Sequence, residues 1–221
     1  MFEFSGIDAS GLFVLKTLMA SREKIDYIPS FKKYQLSGNL LKIFTYPSPV
    51  LTKVAEAVTL FDNGLETLCR DMLFTMYQAP GIGLAAPQVG INKRIFVIDL
   101  NYEREEITRA DGQEDYNYSD FAPLVLINPE IKLLYGEIYF DEGCLSVPGI
   151  YEEIKRVQNI EVTYYDLKGK EKKIDATDLL SVCIQHENDH LNGIIFIDRL
   201  SFIKKDLIKK RLIKEKKRKK I

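Results

Sequence analysis

The spacing of apolar residues along the chain predicts three helices. The first covers 62–79, where apolar residues recur every three or four positions until Pro80-Gly81 ends the run. The second covers 176–192, with Gly193 as its C-cap, and the third, which is basic and amphipathic, covers 201–216. The apolar stripe of the first helix is Leu65, Leu68, Met72 and Met76, and that of the third is Ile203, Leu207, Ile208 and Leu212.

Other apolar segments are short and bounded by turn residues, which predicts strands at 94–100, 124–128, 137–141, 150–156, 159–166 and 170–175. Lys168-Gly169 has the composition of a hairpin turn between the last two. Residues 101–122 are polar and acidic, and we interpret them as a surface loop. The order of elements fits an α+β fold, in which short antiparallel sheets pack around a central helix and a further helix follows at the C-terminus.

Composition and charge divide the 221 residues into three parts. Residues 1–40 have little pattern and are interpreted as an N-terminal extension of unknown role, or as an over-long start with Met19 as a later initiator. Residues 41–203 form the globular domain. Residues 204–221 form a basic tail with eleven of the 31 Lys and Arg residues, although the chain as a whole has a net charge of -1. The tail is either a solvated end that keeps the protein soluble or a helix that docks on RNA phosphates.

The remaining composition favours a cytoplasmic protein. Three cysteines, Cys69, Cys144 and Cys183, are too few and odd in number for a disulfide framework. No apolar segment approaches the ~20 residues that span a bilayer, so no membrane location is expected. The short apolar run at 11–15 follows acidic residues, whereas a signal peptide begins with basic ones.

The motif with the most specific chemistry is His186-Glu187-Asn188-Asp189-His190, an H-E-x-x-H in the second predicted helix. Residues four apart lie on the same face of a helix, so both imidazoles can reach one cation. Glu187 lies beside them, where it can touch a metal-bound water without binding the metal. The rest of this face is apolar, and a buried polar cluster requires a partner such as a metal. The alternative, a surface helix with chance histidines, is disfavoured because the chain has only these two histidines.

Two histidines leave a catalytic metal site one ligand short, since such sites use three protein ligands and keep one position open for water. Cys144, in Glu142-Gly143-Cys144-Leu145-Ser146, is one candidate, and the glycine before it permits close approach of the backbone. From spacing alone, a buried structural role for Cys144 is an equal alternative. Cys183 is a second candidate ligand, although its position one turn before the histidines favours packing.

A third segment, Gly81-Ile82-Gly83-Leu84-Ala85-Ala86-Pro87-Gln88, is rich in small residues, which allow tight turns and close approach of the backbone to a ligand. The side chain of Gln88 can donate hydrogen bonds to a developing oxyanion. On its own this segment is weak evidence, because similar glycine-rich stretches occur in ordinary loops.

Together the three motifs resemble those of the peptide deformylases, which remove the N-terminal formyl group from newly made polypeptides. The family pattern is G-φ-G-φ-A-A-x-Q, then E-G-C-L-S, then Q-H-E-x-D-H-L-x-G. This chain has GIGLAAPQ at 81–88, EGCLS at 142–146 and QHENDHLNG at 185–193. The resemblance extends over about residues 42–202. It departs from the pattern at Tyr151, where many relatives have an arginine that contacts the peptide backbone.

The resemblance implies a metal-dependent hydrolase that acts on formyl-methionyl nascent polypeptides and releases formate. Cys144, His186 and His190 would hold one divalent metal ion. The favoured ion would be Fe2+, with Zn2+, Ni2+ or Co2+ as substitutes. Glu187 would be the general acid and base, while Gln88 and the backbone N–H of Leu145 would stabilise the oxyanion. Relatives with a C-terminal helical extension also imply the ribosome as a partner of the tail. The substrate-binding residues would be Gly81, Ile82, Gly83, Phe140, Gly143, Leu179, Val182 and Cys183.

Two other functions stay open at this stage. An H-E-x-x-H motif by itself favours a metalloprotease that cleaves internal peptide bonds, which activity on casein rather than on formyl-Met peptides would reveal. The other is a non-enzymatic binding protein that uses its basic tail, and the intact ligands and Glu187 count against it.

Overall fold

The computed structural model describes residues 36–109 and 114–218. Within these ranges it contains the helices α1 (Asn63–Gln78), α2 (Asp178–Leu191) and α3 (Phe202–Arg218). Its strands are β1 (Gly83–Ala85), β2 (Ile95–Ile98), β3 (Glu103–Thr108), β4 (Glu114–Ser119), β5 (Leu124–Cys144), β6 (Val147–Tyr165) and β7 (Glu171–Thr177). Short 3-10 helices cover Pro49–Thr52, Ala86–Val89 and Phe196–Arg199. Most of the predicted extension (1–35), part of the predicted loop (110–113) and the last residues of the tail (219–221) lie outside the described residues.

One antiparallel sheet, in the order β1-β2-β5-β6-β7, forms the body of the protein and confirms the predicted α+β class. β5 and β6 have 21 and 19 residues, whereas the sequence predicted two short strands in place of each. The pairing register shifts between Ile127 and Glu130 and again between Leu133 and Tyr135. Both shifts place one extra residue in β5. Because an extra residue interrupts the alternation of inward and outward side chains while the ladder continues, β5 resembles two short strands in the sequence.

Residues 101–122 are not a loop throughout, and the prediction for this segment was wrong. β3 and β4 pair as a separate two-stranded antiparallel ribbon. Every residue of β3 is exposed, so the apolar alternation by which a strand is recognised in a sequence is missing. Cross-strand contacts hold the ribbon instead: the guanidinium of Arg104 lies 3.3 Å from the ring centroid of Tyr116, and Arg109 pairs with Asp115 at 2.6 Å.

The buried carboxylate of Asp99 ties both ends of the segment to the body. It accepts hydrogen bonds from the backbone N–H groups of Asn101 and Tyr102 at one end and from that of Ala122 at the other. The hydroxyl of Tyr77, on α1, donates a fourth hydrogen bond at 2.7 Å. Asp99 therefore satisfies three backbone groups that would otherwise lack a partner where the ribbon leaves the sheet.

The sheet lies between α1 and α2. α1 begins after Asp62, whose side chain accepts a hydrogen bond from the N–H of Leu65 at 2.9 Å, and it confirms the helix predicted at 62–79. Along β2, Ile95 and Val97 join the cluster around α1, while Phe96 and Ile98 join the cluster around α2. A strand that is covered on both faces is apolar throughout, which explains the unbroken apolar run of β2.

α2 carries the H-E-x-x-H motif and is fixed along β6. Gln185 bonds the backbone of Val157 as a neighbouring strand would, since its Oε1 accepts from the N–H at 3.1 Å and its Nε2 donates to the carbonyl at 2.8 Å. Gly193 follows the helix with φ +70°, and a Cβ there would lie 2.7 Å from the carbonyl oxygen of Thr52. Both constraints require glycine, so the predicted helix end is confirmed.

α3 confirms the predicted basic helix but only half of its apolar stripe. Ile208 and Leu212 are buried, whereas Ile203 and Leu207 are 73% and 63% exposed. Successive residues of an α-helix are about 100° apart, so Ile203 and Leu207 point roughly 140° away from Ile208 and Leu212 and cannot share one buried face. Among the described helices, none combines the length and the apolar composition that crossing a bilayer requires.

Candidate metal centre

Three predicted ligands meet in the core of the protein. The Sγ of Cys144 and one ring nitrogen from each of His186 and His190 lie within 4.8 Å of one another, and all three residues are 1% exposed. Cys144 ends β5, and the histidines are one turn apart on α2. The distance from Cys144 Sγ to His190 Nε2 is 3.4 Å. In a tetrahedral site with metal–sulfur and metal–nitrogen bonds of ~2.3 and ~2.0 Å, this separation is about 3.5 Å. The group therefore has the dimensions of a metal site.

The orientation and the lowered pKa of the two histidine rings both suit metal binding. Nδ1 of His186 lies 2.8 Å from Oε2 of Glu142, which leaves Nε2 as the ligand atom. A carboxylate on the remote nitrogen of a ligating histidine fixes its tautomer and orientation. Burial lowers the pKa of His186 and of His190 well below the ordinary value and thus favours the neutral ring, the form that binds metals.

Cys144 supplies the remaining donor. Burial raises the pKa of its thiol above the ordinary value, and a coordinated cation reverses this effect, because metal binding deprotonates a thiol. One thiolate and two neutral imidazoles form a donor set that suits zinc, iron and related transition metals. The residues present therefore fit a divalent ion.

Cys183, the alternative third ligand, lies outside this group. Its Sγ is 3.9 Å from the carbonyl oxygen of Ile82, and it belongs to the buried cluster around α2. Its thiol has a pKa well above the ordinary value because of burial. The candidate ligands that the structure brings together therefore do not include Cys183, which packs in the core as its position one turn before the histidines favours.

Glu187 is completely buried on α2, next to His186. Burial raises the pKa of its carboxyl group above the ordinary value. A Cβ built on Gly83 would lie 2.5 Å from Oε1 of Glu187 and 3.0 Å from its Cγ and Cδ. β1 therefore passes so close to this carboxylate that any side chain at position 83 would displace it, which gives a reason for the second glycine of the glycine-rich segment.

Gln88 reaches the ligands from the 3-10 helix Ala86–Val89. Its Oε1 accepts a hydrogen bond from the N–H of Ala85 at 2.8 Å. This contact orients Nε2 toward the Oγ of Ser146 at 3.3 Å and the Sγ of Cys144 at 3.5 Å. A neutral donor is thus held directly beside a metal ligand, as oxyanion stabilisation requires. Ser146 was not predicted, and its place within the second motif was the available indication.

The predicted substrate-binding residues lie on β5 and α2, which carry the ligands, and at the start of β1. Ile82, Leu179, Val182 and Cys183 belong to one buried cluster, and the half-buried Phe140 packs against it. Gly83 begins β1 and Gly81 lies two residues before it, while Gly143 precedes Cys144 and pairs with Tyr151 of β6. Tyr151 therefore stands opposite the second motif. Contact of these residues with a substrate stays a prediction.

Four charged residues behind the site were not assigned a role from the sequence. Glu142, which contacts His186, forms two hydrogen bonds with Arg156, at 2.6 and 2.8 Å. Arg156 in turn contacts Asp189 at 2.6 Å, and Arg199 contacts the same carboxylate at 2.5 and 2.6 Å. Glu142 and Asp189 stand inside the recognised motifs, which was a usable indication. Arg156 and Arg199 stand outside every motif, and only the tertiary structure brings them here.

Known proteins resemble this chain over most of its length. The family model described as polypeptide deformylase matches residues 40–206. Peptide deformylase 1 of Pseudomonas syringae pv. tomato is 45% identical over 177 residues, which cover 80% of this chain and 96% of the relative. Peptide deformylase of Saccharophagus degradans is 46% identical over 177 residues, which cover 80% of this chain and 94% of the relative.

Solved structures agree with these matches. The crystal structure of a peptide deformylase from Legionella pneumophila has a TM-score of 0.67 and 39% identity and covers 81% of this chain and 97% of the other. A peptide deformylase from Synechococcus elongatus in complex with actinonin has a TM-score of 0.66 and 39% identity, and it covers 81% of this chain and 89% of the other.

Proposed function

Because the chain belongs to the polypeptide deformylase family, we propose that Cys144, His186 and His190 form the metal centre with which it removes the N-terminal formyl group from newly made polypeptides. The family is one of metal-dependent hydrolases, and the products are formate and a free N-terminal methionine. The observation that supports this assignment is the 3.4 Å separation of Cys144 Sγ and His190 Nε2, combined with the orientation of His186 by Glu142.

The metal ion and the side chains around it have separate roles in the reaction. A bound divalent ion polarises a carbonyl oxygen and lowers the pKa of a water towards ~7. Glu187 takes a proton from the attacking water and delivers it to the leaving amine. Its burial supports this role, because the raised pKa brings the carboxyl group nearer to neutral pH, where an acid–base catalyst works best.

Negative charge develops on the formyl oxygen during the attack. Gln88 Nε2 and the backbone N–H of Leu145 donate hydrogen bonds to it, and these bonds strengthen as the charge grows. The anchoring of Gln88 on Ala85 supports its part, since a donor that is already oriented requires no rearrangement during the reaction. The loss of one such donor typically costs ~10²–10³ in rate.

The substrate lies along the apolar cluster beside the metal centre. Ile82, Phe140, Leu179, Val182 and Cys183 line the pocket for the methionine side chain, and the shared burial of these residues supports the assignment. Gly81, Gly83 and Gly143 let the peptide backbone approach, since none of them carries a side chain.

The test of the catalytic assignment is Glu187→Gln, measured as formate release from a formyl-Met peptide. We expect the metal content to stay unchanged and turnover to fall by at least ~10²-fold, the usual contribution of a general acid or base. Glu153→Gln, at an exposed position on β6, is the matched control and should keep full activity. Near-normal turnover of a metal-loaded Glu187→Gln protein would reject the role, and cleavage of casein by the wild type would favour the metalloprotease alternative.

For the metal itself we propose Fe2+, with Zn2+, Ni2+ or Co2+ as substitutes. A thiolate ligand reduces the net charge of the site from +2 to +1, and both an iron–thiolate centre and the cysteine itself are open to oxidation. Activity should therefore decay in air and persist under nitrogen. Equal decay in both atmospheres would count against iron, and elemental analysis of protein purified without oxygen identifies the ion directly.

We further propose that the outer face of α3 contacts ribosomal RNA. Lys204 and Lys209 pair with Glu152 and Asp198 of the body. Lys210, Lys214 and Lys217 are exposed on the outer side of the helix, and Lys210 pairs with Asp206 of the same helix. Basic side chains on a helix bind phosphates with release of counterions, so the binding should weaken steeply with salt.

Charge reversal tests the contact with the ribosome. Replacement of Lys210, Lys214 and Lys217 by glutamate should reduce co-sedimentation with ribosomes at low salt, as should deletion of 204–221. Lys173→Glu, an exposed change on β7, is the control. Unchanged co-sedimentation of both altered tails would reject the contact.

The division of the chain follows the same reasoning. We propose an N-terminal extension at 1–40, a catalytic domain at 41–203 and a basic tail at 204–221, and the family match over 40–206 supports the first boundary. A cytoplasmic location is proposed because the substrates are nascent chains. Removal of residues 1–35 should leave formate release unchanged, and a loss of activity would show that the extension takes part in catalysis.

A further inference from the structure

A line of four charged side chains leads from the metal ligand His186 towards the surface. Glu142 contacts His186 Nδ1 at 2.8 Å and Arg156 at 2.6 and 2.8 Å. Arg156 contacts Asp189 at 2.6 Å. Arg199, from the 3-10 helix Phe196–Arg199, closes the line with two hydrogen bonds to Asp189, at 2.5 and 2.6 Å. We call Glu142, Arg156, Asp189 and Arg199 the charged line.

Burial makes the inner part of the charged line rigid. The side chains of Glu142, Arg156 and Asp189 are 0%, 1% and 6% exposed, whereas that of Arg199 is 41% exposed. Burial lowers the pKa of Arg156, but its hydrogen bonds with Glu142 raise that pKa by a larger amount. The guanidinium group therefore stays charged. Buried ion pairs are tolerated only with good geometry and satisfied hydrogen bonds. Each inner member is therefore held in one orientation by both of its neighbours.

Asp189 is the member that depends on Arg199. The Nε and Nη2 atoms of Arg199 each meet a different oxygen of the carboxylate, which fixes the plane of that carboxylate. The same plane determines where Oδ2 meets Nη1 of Arg156. A lysine at 199 would keep the charge but not the planar fork.

Because of its surroundings, removal of Arg199 should lower the free energy of unfolding only slightly. A cavity of about 440 Å³ is lined by Arg156, Asp189 and Arg199 together with Asn188 of α2 and Asn192, the residue that follows α2. By helical spacing, Asn188 and Asn192 lie on the face of α2 opposite to His186 and His190. Water in this cavity can solvate Asp189 when Arg199 is absent. Removal of Arg199 therefore frees the carboxylate without leaving a charge in a dry interior.

We propose that Arg199 is a positioning residue for the metal centre, which holds His186 in its ligating orientation through Asp189, Arg156 and Glu142. This inference rests on the proposed metal centre and extends it to a surface residue. Loss of a partner behind a metal ligand typically costs 10–100-fold in metal affinity. Because Arg199 acts through three intermediate residues, we expect release of the metal to become about tenfold faster, the lower end of that range.

The experiment measures metal retention in the full-length chain. The protein is loaded with Co2+, a chelator is added in excess, and the loss of the cobalt absorption bands gives the rate of release. Arg199→Met should release cobalt about tenfold faster and shift the ligand-field bands. Arg199→Lys should release it at an intermediate rate. Arg70→Met, which removes an exposed arginine that also pairs with a carboxylate, should behave as the wild type.

A double-mutant comparison tests the route through Glu142. If Arg199 acts along the charged line, Arg199→Met should add little to the effect of Glu142→Gln. Additive effects would overturn the proposal, and so would an unchanged release rate with a lower melting temperature. If Glu142→Gln does not retain cobalt, the absorption spectrum of Arg199→Met decides: shifted bands support the proposal, and wild-type bands overturn it. A wild-type protein that binds no cobalt would instead refute the metal centre itself.

Discussion

Gly83→Ala should remove most of the turnover and leave the metal in place, because the new methyl group crowds Glu187. The added Cβ would lie 2.5 Å from Oε1 of Glu187, while real Cβ contacts below 3.0 Å essentially do not occur. The carboxylate must therefore withdraw by about 0.9 Å to reach ordinary van der Waals contact at 3.4 Å, and a displacement of about 1 Å at a catalytic group costs roughly 10²-fold in rate. Such a loss corresponds to about 2.7 kcal/mol of activation free energy.

The assay separates this effect from a loss of folding or of metal. Crowding a packed core costs about 1–3 kcal/mol of unfolding free energy, which leaves a typical domain folded. We expect unchanged metal content by elemental analysis and a lower urea midpoint, together with the fall in formate release per bound metal. Gly64→Ala is the control: it lies in the first turn of α1, where the nearest atom to the new Cβ is Asp62 Oδ1 at 3.2 Å.

Two outcomes would refute the reasoning. If metal-loaded Gly83→Ala kept near-wild-type turnover while Glu187→Gln was inactive, the contact between β1 and the carboxylate would be looser than the structure has it. If Gly83→Ala lowered the residual turnover of Glu187→Gln further by a similar factor, the glycine would act on the reaction by a route other than Glu187, since effects through one group are not additive.

Three further predictions follow from other contacts. Burial raises the pKa of Glu187 above 4.5, so its basic form is lost at a higher pH than that of an ordinary glutamate. The acid side of the kcat/KM profile should therefore have its inflection above pH 4.5. An inflection at or below pH 4.5 would contradict the burial argument. Cys144→Ser should lose most of the bound metal, whereas Cys183→Ala should retain it at a cost of about 1 kcal/mol in unfolding free energy; equal metal contents would show that Cys144 is not a ligand. Asp99→Ala should lower the unfolding free energy by about 3 kcal/mol, because buried donors, including the hydroxyl of Tyr77, lose their acceptor. Formate release per bound metal should then stay close to the wild-type value, and an unchanged urea midpoint would contradict the role of Asp99.

Local interactions could be predicted from the sequence alone. The helix of the H-E-x-x-H motif, its end at Gly193 and the common face of His186 and His190 all follow from contacts within one or two helical turns, which the spacing of residues records. The family motifs added the expectation that Gln88 and Cys144 belong to the same site. In the structure, Gln88 Nε2 lies 3.5 Å from Cys144 Sγ. The antiparallel α+β class followed in the same way from the order of helices and strands.

Contacts between distant segments were decided by the tertiary structure. Spacing left a ligand and a buried structural residue as equal alternatives for Cys144, because Cys144 stands 46 residues before His190 and meets it only when β5 reaches α2. The ribbon of β3 and β4 was missed because a strand exposed on both faces has no apolar alternation. Arg156 and Arg199 had no motif, since a long-range ion pair places no constraint on neighbouring residues. A periodic pattern in a sequence shows which face of an element is buried, but the partner that covers it depends on packing, which only the folded chain specifies.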